Sequence, residues 1–512
     1  MGKMFKKRKN TILYNPMELT EELKKLGESY DKKTTGLYYL VVLFIAIAFG
    51  FFFELGYLGI IATALAYFFF VPQLIYNQKK HAYEQRRFTD INSYMHQMIQ
   101  SFTRTKKIRS SLYETRNTFT SGKMHDILVQ AIEIIENNQL PDSVSDDIRK
   151  DPRATTKEAL KLIEKHYGCE KLRILHDFII KAEERGGDCI AEFALLEKGR
   201  EIWKAAVMKY HDNLMSQRNF GSGTYLFLMC VCIFLMNYME SVGISIMGEQ
   251  ITQLVNMAML ILFVVFFVFM DKRLNTNLLR DPVVMSQKKV DALYSYTQGF
   301  DSKKERKKYI AVAILSCMVA AAILALDLSF TSLFIAAAII AVGFNVHRIQ
   351  LANAIRTIKA EIEKEFPKWL FDMLLLLQRE SVEGSIFLSV EKAPPILKGE
   401  LQRISIGLQN APHSADIFMS FLADFGNQNV EETMRTLYSL AVGTGGEKQK
   451  VMGVIIESNI IHLSRSEEES LEDKMSYSMI IDYLPSLVAT GVLMGYMLVI
   501  MAVAFTYLNT FM

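Results

Sequence analysis

Apolar residues gather in runs of about 20, the length that crosses a bilayer as a helix. The first two runs, "LYYLVVLFIAIAFGFF" and "IIATALAYFFFVPQLIY", flank "ELGYLG", a turn from Glu54 to Gly59. "TYLFLMCVCIFLMNYM" and "LVNMAMLILFVVFFVFM" flank the polar loop "ESVGISIMGEQ". "YIAVAILSCMVAAAILAL" and "FTSLFIAAAIIAVGF" meet at "DLS", and "LPSLVATGVLMGYMLVIMAVAF" adds a last span. Between the runs, apolar positions recur at steps of three and four, the helical period. No strand-like alternation of any length occurs. The pattern predicts an all-α polytopic membrane protein with about seven transmembrane helices and two helical bundles outside the bilayer.

Charge gives the orientation. Four windows hold no Lys or Arg: Thr34 to Gln78, Asn219 to Asp271, Tyr309 to His347, and Met475 to the C-terminus. "KMFKKRK", "QKKHAYEQRR", "DKR" and "DSKKERKK" border the spans on one side, which the positive-inside rule makes cytosolic. The expected order is a cytosolic segment 1–36 and a hairpin 37–77. A first cytosolic domain 78–218, a span pair 219–271, a linker 272–308 and a hairpin 309–347 follow. A second cytosolic domain 348–476 and a last helix 477–512 complete it. The N-terminus reads as cytosolic, because a polar segment separates its basic run from the first span and no cleavage site follows. "PMELTEELKKLGESYDKK" reads as an amphipathic helix. Half of the residues are hydrophobic, 22% are charged, and the net charge of +3 is too small to indicate nucleic acid.

The chain reads as written twice. At an offset of 366 − 88 = 278, Phe88 aligns with Phe366, Ile91 with Trp369, Met95 with Met373, Met98 with Leu376, and Ile99 with Leu377. Ile108 meets Ile386 and Leu112 meets Val390 at the same offset. At 445 − 186 = 259, Leu175 aligns with Met434, Phe178 with Leu437, Ala182 with Ala441, Leu196 with Ile455 and Ile202 with Ile461. The offsets differ by 19 residues, which the polar loop Asn137 to Thr155 accounts for in the first copy.

The second offset aligns two glycine pairs, Gly186 with Gly187 and Gly445 with Gly446. "AVGTGGEKQKVMGV" resembles a phosphate loop only superficially. Glu447 follows the second glycine, no Ser or Thr follows Lys448, and a helical rather than strand pattern precedes it. The pairs therefore read as helix breaks, where glycine tolerates left-handed backbone. No other chemistry stands out. Cys230, Cys232 and Cys317 lie in apolar spans, and Cys169 and Cys189 lack zinc spacing. His81, His96, His125 and His166 are scattered, and no hydrolase or metalloprotease motif occurs. Glu467, Glu468, Glu469, Glu472 and Asp473 read as a solvated helix face. Neither an enzyme, a cofactor nor a metal site is expected. Glu54 and Asp327 fall at hairpin turns and Asp482 near a membrane face, not at mid-span positions that would mark a transporter. Gly491 and Gly495 have the spacing of a helix–helix contact.

The layout resembles the type II secretion system F family, in particular the paired platform proteins of Tad-type (tight adherence) pili. The second copy carries the resemblance in "FPKWLFDMLLLLQRESVEGSIFLSVE" and "AVGTGGEKQKVMGVIIESNIIHLSRS", and the first in "INSYMHQMIQSFTRTKKIRSSLYET" and "IIKAEERGGDCIAEFALLEKGREIW". "SVEGS" fits the family's glycine after the first helix, whereas "TKKIRS" departs from it. The resemblance implies a non-enzymatic platform in a bacterial cytoplasmic membrane. Its partners would be a cytosolic hexameric secretion ATPase, pilin-like subunits and further copies of itself. Exposed charges on the bundles, such as Lys106, Lys107 and Arg109, are the expected ATPase contact. A transporter and another membrane scaffold are the alternatives.

Overall fold

A computed structural model describes residues 16–501 apart from 28–30, 138–152, 187–189, 242, 244–249, 276, 280–284, 299–302, 327–329, 378–379, 426–427, 444, 477–485 and 499–500. Among the described residues the regular structure is helical throughout, with no strand. The chain divides into two compact units. One comprises Met1–Asp188, Lys204–Asp281 and Leu471–Met512; the other comprises Cys189–Trp203 and Pro282–Ser470.

The first unit begins with α1 (Pro16–Leu26), α2 (Lys32–Phe52) and α3 (Tyr57–Thr105). Then come α4 (Ile108–Thr118), α5 (Lys123–Glu136), α6 (Ala154–Tyr167) and α7 (Glu170–Arg185). Most of α8 (Ile190–Ser241) and all of α9 (Gln250–Arg273) follow. Four of these, α2, α3, α8 and α9, are long and apolar enough to cross a bilayer, which makes this a membrane-embedded protein. Two shorter apolar stretches occur among the described residues, Val312–Ala321 and Ser486–Leu498. Phe44 and Phe51 on α2 are about three-quarters exposed, as side chains facing acyl chains would be.

The turn between α2 and α3 shows how the hairpin closes. The Leu55 amide donates to Gly50 O and the Glu54 amide to Phe51 O, each at 3.0 Å. This paired bonding satisfies the last carbonyls of α2 and requires a left-handed residue between, here Glu54 at φ 47°. Within the apolar layer, Phe53, Tyr225, Met229, Cys232, Met236 and Met259 form a core with Ala489 and Tyr496. Leu19 and Leu23 of α1 pack on Val71 and Ile75 of α3, so the N-terminal helix uses its apolar face as its periodicity predicts.

Beyond the apolar layer, α3 continues into a bundle with α4 to α7. Its buried face carries Phe88, Ile91, Met95, Met98, Ile99 and Phe102. A Glu183 carboxylate from α7 accepts the Ile108 amide at 2.9 Å, capping α4 from a distant helix.

The second unit holds α10 (Gln287–Gln298), α11 (Lys303–Leu326), α12 (Phe330–Leu377), α13 (Val382–Ser389) and α14 (Pro395–Asn410). It ends with α15 (Ala415–Met419), a single 3-10 turn at Ala423–Phe425, α16 (Gln428–Val442) and α17 (Gly445–Ser476). Its core stacks Phe366, Trp369 and Phe421, and the Trp369 indole donates to Ser389 Oγ at 3.0 Å. Pro367 lies inside α12 and interrupts its hydrogen-bond ladder. Side chains of α17 serve that stretch: Asn459 donates to Pro367 O at 3.2 Å, and Ser466 donates to Lys364 O.

Several aligned positions are buried in both units: Phe88 and Phe366, Ile91 and Trp369, Met95 and Met373, Ile99 and Leu377, Ile108 and Ile386. Others differ. Ile202 is 8% exposed but Ile461 is 68% exposed. Glu467 also departs from expectation, since it is buried rather than solvated. A helix turns about 100° per residue, so a run of consecutive acids cannot all face water. Asp327 and Asp482 lie outside the described residues.

Candidate functional site

Where α3 leaves the apolar layer, four polar residues recur at steps of four: Gln73, Asn77, His81 and Gln85. That spacing puts them on one helix face. The face looks onto α8 and α9, and the polar groups bond in sequence along it. Gln73 Nε2 donates to Asn77 Oδ1 at 2.6 Å, Asn275 Nδ2 donates to the same oxygen at 2.8 Å, and Asn77 Nδ2 donates to Val268 O at 3.3 Å. Gln73 and Asn77 are almost wholly buried, so each bond replaces water that cannot enter. Arg218 of α8 meets Asp271 of α9 at 2.9 Å.

One turn further along the stripe, His81 Nε2 faces His211 Nε2 at 2.5 Å, with the imidazole planes inclined by 13°. Gln85 Nε2 lies 3.2 Å from the same His211 nitrogen. Burial holds the His81 imidazole below its ordinary basicity, and His211 and Arg218 lower it further. Neutral imidazole is therefore the resting form near neutral pH.

Deeper in the bundle, Tyr94 of α3, His176 of α7 and Glu164 of α6 form a chain. His176 Nδ1 donates to Glu164 Oε1 at 2.7 Å, which leaves Nε2 to accept the Tyr94 hydroxyl at 2.9 Å. The order has the look of a catalytic relay. Tyr94 and His176 are completely buried, however, so the chain ties three helices together rather than meeting a substrate. Burial pushes the Tyr94 phenol far above its usual range, with Glu164 adding to the effect. Arg87 makes a comparable tie. It donates to Tyr167 O at 2.7 Å, at the C-terminal end of α6, and to Glu84 at 3.1 Å.

The glycine pairs occupy related but unequal places. Gly186 terminates α7 in the left-handed region at φ 68°, its amide donating to Ala182 O at 3.0 Å. Gly187 lies outside the described residues. In the second unit Gly443 does the terminating, its amide donating to Ser439 O at 2.9 Å, and Gly445 and Gly446 open α17. A Cβ on Gly443 would fall 2.9 Å from Ser439 O, so a larger residue there would force the backbone to shift. The element before the pair is helix α16, so the strand that a phosphate loop requires is replaced.

Lys106, Lys107 and Arg109 are exposed together at the turn between α3 and α4. Lys106 adopts φ 55°, the left-handed conformation that a glycine would take without strain. A cleft of about 160 Å³ in the second unit is lined by Phe366, Asn459, His462, Arg465 and Glu469. Among the described residues, no group of three or more His, Cys, Asp or Glu gathers as metal ligands would. The polar stripe on α3 was not legible as a site, because its partners lie 126 to 198 residues away; its one local signal is the four-residue spacing.

No protein-family model, curated protein or solved structure matches the chain.

Proposed function

We propose that this chain is a membrane platform for a type IV filament or type II secretion-like machine, coupling a cytosolic secretion ATPase to pilin-like subunits. In this reading seven helices cross a bacterial cytoplasmic membrane, the N-terminus is cytosolic, and both bundles are duplicated cytosolic domains. One observation carries it. Helices α3, α8 and α12 are 49, 52 and 48 residues long and each joins apolar to polar sequence within one helix, with Pro72 inside α3 and Pro367 inside α12. At 1.5 Å per residue each is about 70–80 Å long, more than twice the hydrocarbon thickness.

A long helix transmits displacement along its axis, because away from a kink it curves only gently. A platform that converts motion in a cytosolic ring into motion among membrane subunits needs such members. The resemblance of the two bundles to the F family supports the same role, and the exposed cluster Lys106, Lys107 and Arg109 supplies a polar surface suited to reversible docking. A transporter would instead use its mid-span polar groups for cargo. One of these, the fully buried Asn256, is already bonded to Tyr496 at 2.6 Å and to Met236 Sδ at 3.5 Å.

The test is deletion in the host followed by complementation. Loss of surface filaments or filament-dependent secretion is expected, with rescue by the wild-type chain. Reversal of Lys106, Lys107 and Arg109 to Glu is expected to abolish rescue while the protein remains folded and inserted. Unchanged assembly in the deletion strain would refute the platform role.

A further inference from the structure

We propose that the contact between His81 of α3 and His211 of α8 is a proton-operated latch, closed while the pair holds at most one extra proton and opened by a second. The geometry behind it is a head-to-head approach of two ring nitrogens. His81 Nε2 lies 2.5 Å from His211 Nε2, with the rings inclined by 13°. Two nitrogens that close have room for one hydrogen between them, so one ring donates and the other accepts with its single lone pair. Gln85 decides which does which. Its side-chain amide lies 3.2 Å from His211 Nε2, and turning the amide over brings its oxygen there. His211 Nε2 then carries the hydrogen, and the Gln85 oxygen and the bare His81 Nε2 both accept it.

The fate of added protons follows from the free lone pairs. A first extra proton goes to His211 Nδ1, away from the contact. His211 becomes an imidazolium, and its bond to His81 Nε2 survives, strengthened by the charge. The Asp212 carboxylate is 3.8 Å from that Nδ1, too far for a hydrogen bond but placed to favour charge on this ring. A second proton has only the His81 Nε2 lone pair to take, the one already engaged in the contact. Two N–H groups and two like charges would then meet across 2.5 Å, and the rings must separate.

The surroundings keep the latch closed at neutral pH. Burial first, then His211 and Arg218, hold the His81 imidazole below its ordinary basicity. The nearby carboxylates have other partners: Asp271 of α9 binds Arg218 at 2.9 Å, and Glu84 of α3 binds Arg87 at 3.1 Å. Lys80, the residue before His81, lies over the Tyr76 ring at 5.7 Å. A base whose folded pKa falls below its ordinary 6.5 contributes stability that is present above 6.5 and lost as pH falls through the folded value. Acid therefore loosens α3 from α8 on the bundle side of the Arg218–Asp271 pair. The latch does not depend on the platform role, because it follows from three side chains on two helices.

The experiment uses the full-length chain, labelled with ¹⁵N at histidine and reconstituted in lipid. Solid-state NMR at pH 7.5 is expected to show one protonated and one bare Nε2 coupled through a shared hydrogen, a signal that identifies the pair in the wild type alone. On acidification below pH 6.5 the coupling should vanish while the chain stays folded. Thermal melts in detergent from pH 5 to pH 8 give the second readout. His81→Gln retains a hydrogen-bonding side chain that cannot charge, so its melting temperature should fall less on acidification than that of the wild type. His166→Gln, at an exposed position, should fall as far as the wild type. A coupling absent at pH 7.5, a coupling that persists to pH 5, or an equal acid loss in wild type and His81→Gln would overturn the latch.

Discussion

Arg87→Ala is the substitution with the most to reveal about the first bundle. Arg87 has two hydrogen-bonding partners, and its guanidinium also lies over the rings of Tyr83 and Tyr167. It occupies the Tyr167 carbonyl at 2.7 Å and neutralises Glu84 at 3.1 Å, and the two charged side chains are only 14% and 7% exposed. Breaking a buried pair by removing one partner costs roughly 3–5 kcal/mol, because the remaining charge is uncompensated. Lys80 also draws the Glu84 proton equilibrium down, so the lower end, about 3 kcal/mol, is expected. At roughly 2–4 °C per kcal/mol for a unit of this size, the melting temperature should fall by about 6–12 °C.

The sign of the pH dependence distinguishes this cause from lost packing. Burial raises the Glu84 pKa above its ordinary 4.5, against the lowering effects of Arg87 and Lys80. A carboxyl with a raised folded pKa loses stability as pH rises from the unfolded value through the folded one. Removing Arg87 removes a lowering influence, so the folded value rises further and the penalty grows toward neutral pH. Below about 4.5 Glu84 is protonated in both states and the penalty shrinks to the lost carbonyl bond, about 1 kcal/mol. Glu84→Gln in the Arg87→Ala background should recover most of the stability. Thermal melts of the wild type, Arg87→Ala, Glu84→Gln and the double variant in detergent from pH 4 to pH 8 provide the check. A double variant as unstable as Arg87→Ala, or a cost that does not change with pH, would refute the reasoning.

Two further outcomes follow from backbone and membrane geometry. Lys106→Gly should stabilise the first unit by roughly 0.5–1 kcal/mol in the same melts, because a left-handed lysine carries strain that glycine does not; Lys106→Val should destabilise it. Tyr496→Phe should cost about 0.6 kcal/mol and no more than about 1.7 kcal/mol, the range for hydrogen bonds within a bilayer, and Asn256→Leu should show no additional loss when combined with it.

Sequence patterning located the helices well where burial dominates. The face Phe88, Ile91, Met95 and Ile99 is buried, as steps of three and four require, and α1 uses Leu19 and Leu23 as its amphipathic pattern demands. The glycine pairs read as helix breaks; Gly186 stands at a helix end, whereas Gly445 and Gly446 lie in the first turn of α17. Gly443, two residues before the pair in "GTGG", ends α16. Either glycine can terminate a helix, so periodicity alone cannot choose between them. Glu467 was misread because composition records charge and not angular position.

The polar stripe was hidden for a different reason. Gln73, Asn77, His81 and Gln85 are unremarkable individually, and a step of four is also the signature of an ordinary solvated face. Their meaning comes from α8 and α9, which bring His211, Asp271 and Asn275 to the same surface. The location has a physical logic. A helix passing from lipid into water must change its packing partners, and apolar contacts alone fix neither rotation nor register there. Directional bonds do: slipping α3 by one residue against α9 would rotate Asn77 by about 100° and break its contacts with Val268 O and Asn275 together. The stripe therefore sets the register in which three helices cross this boundary, and any displacement carried along α3 must pass through it.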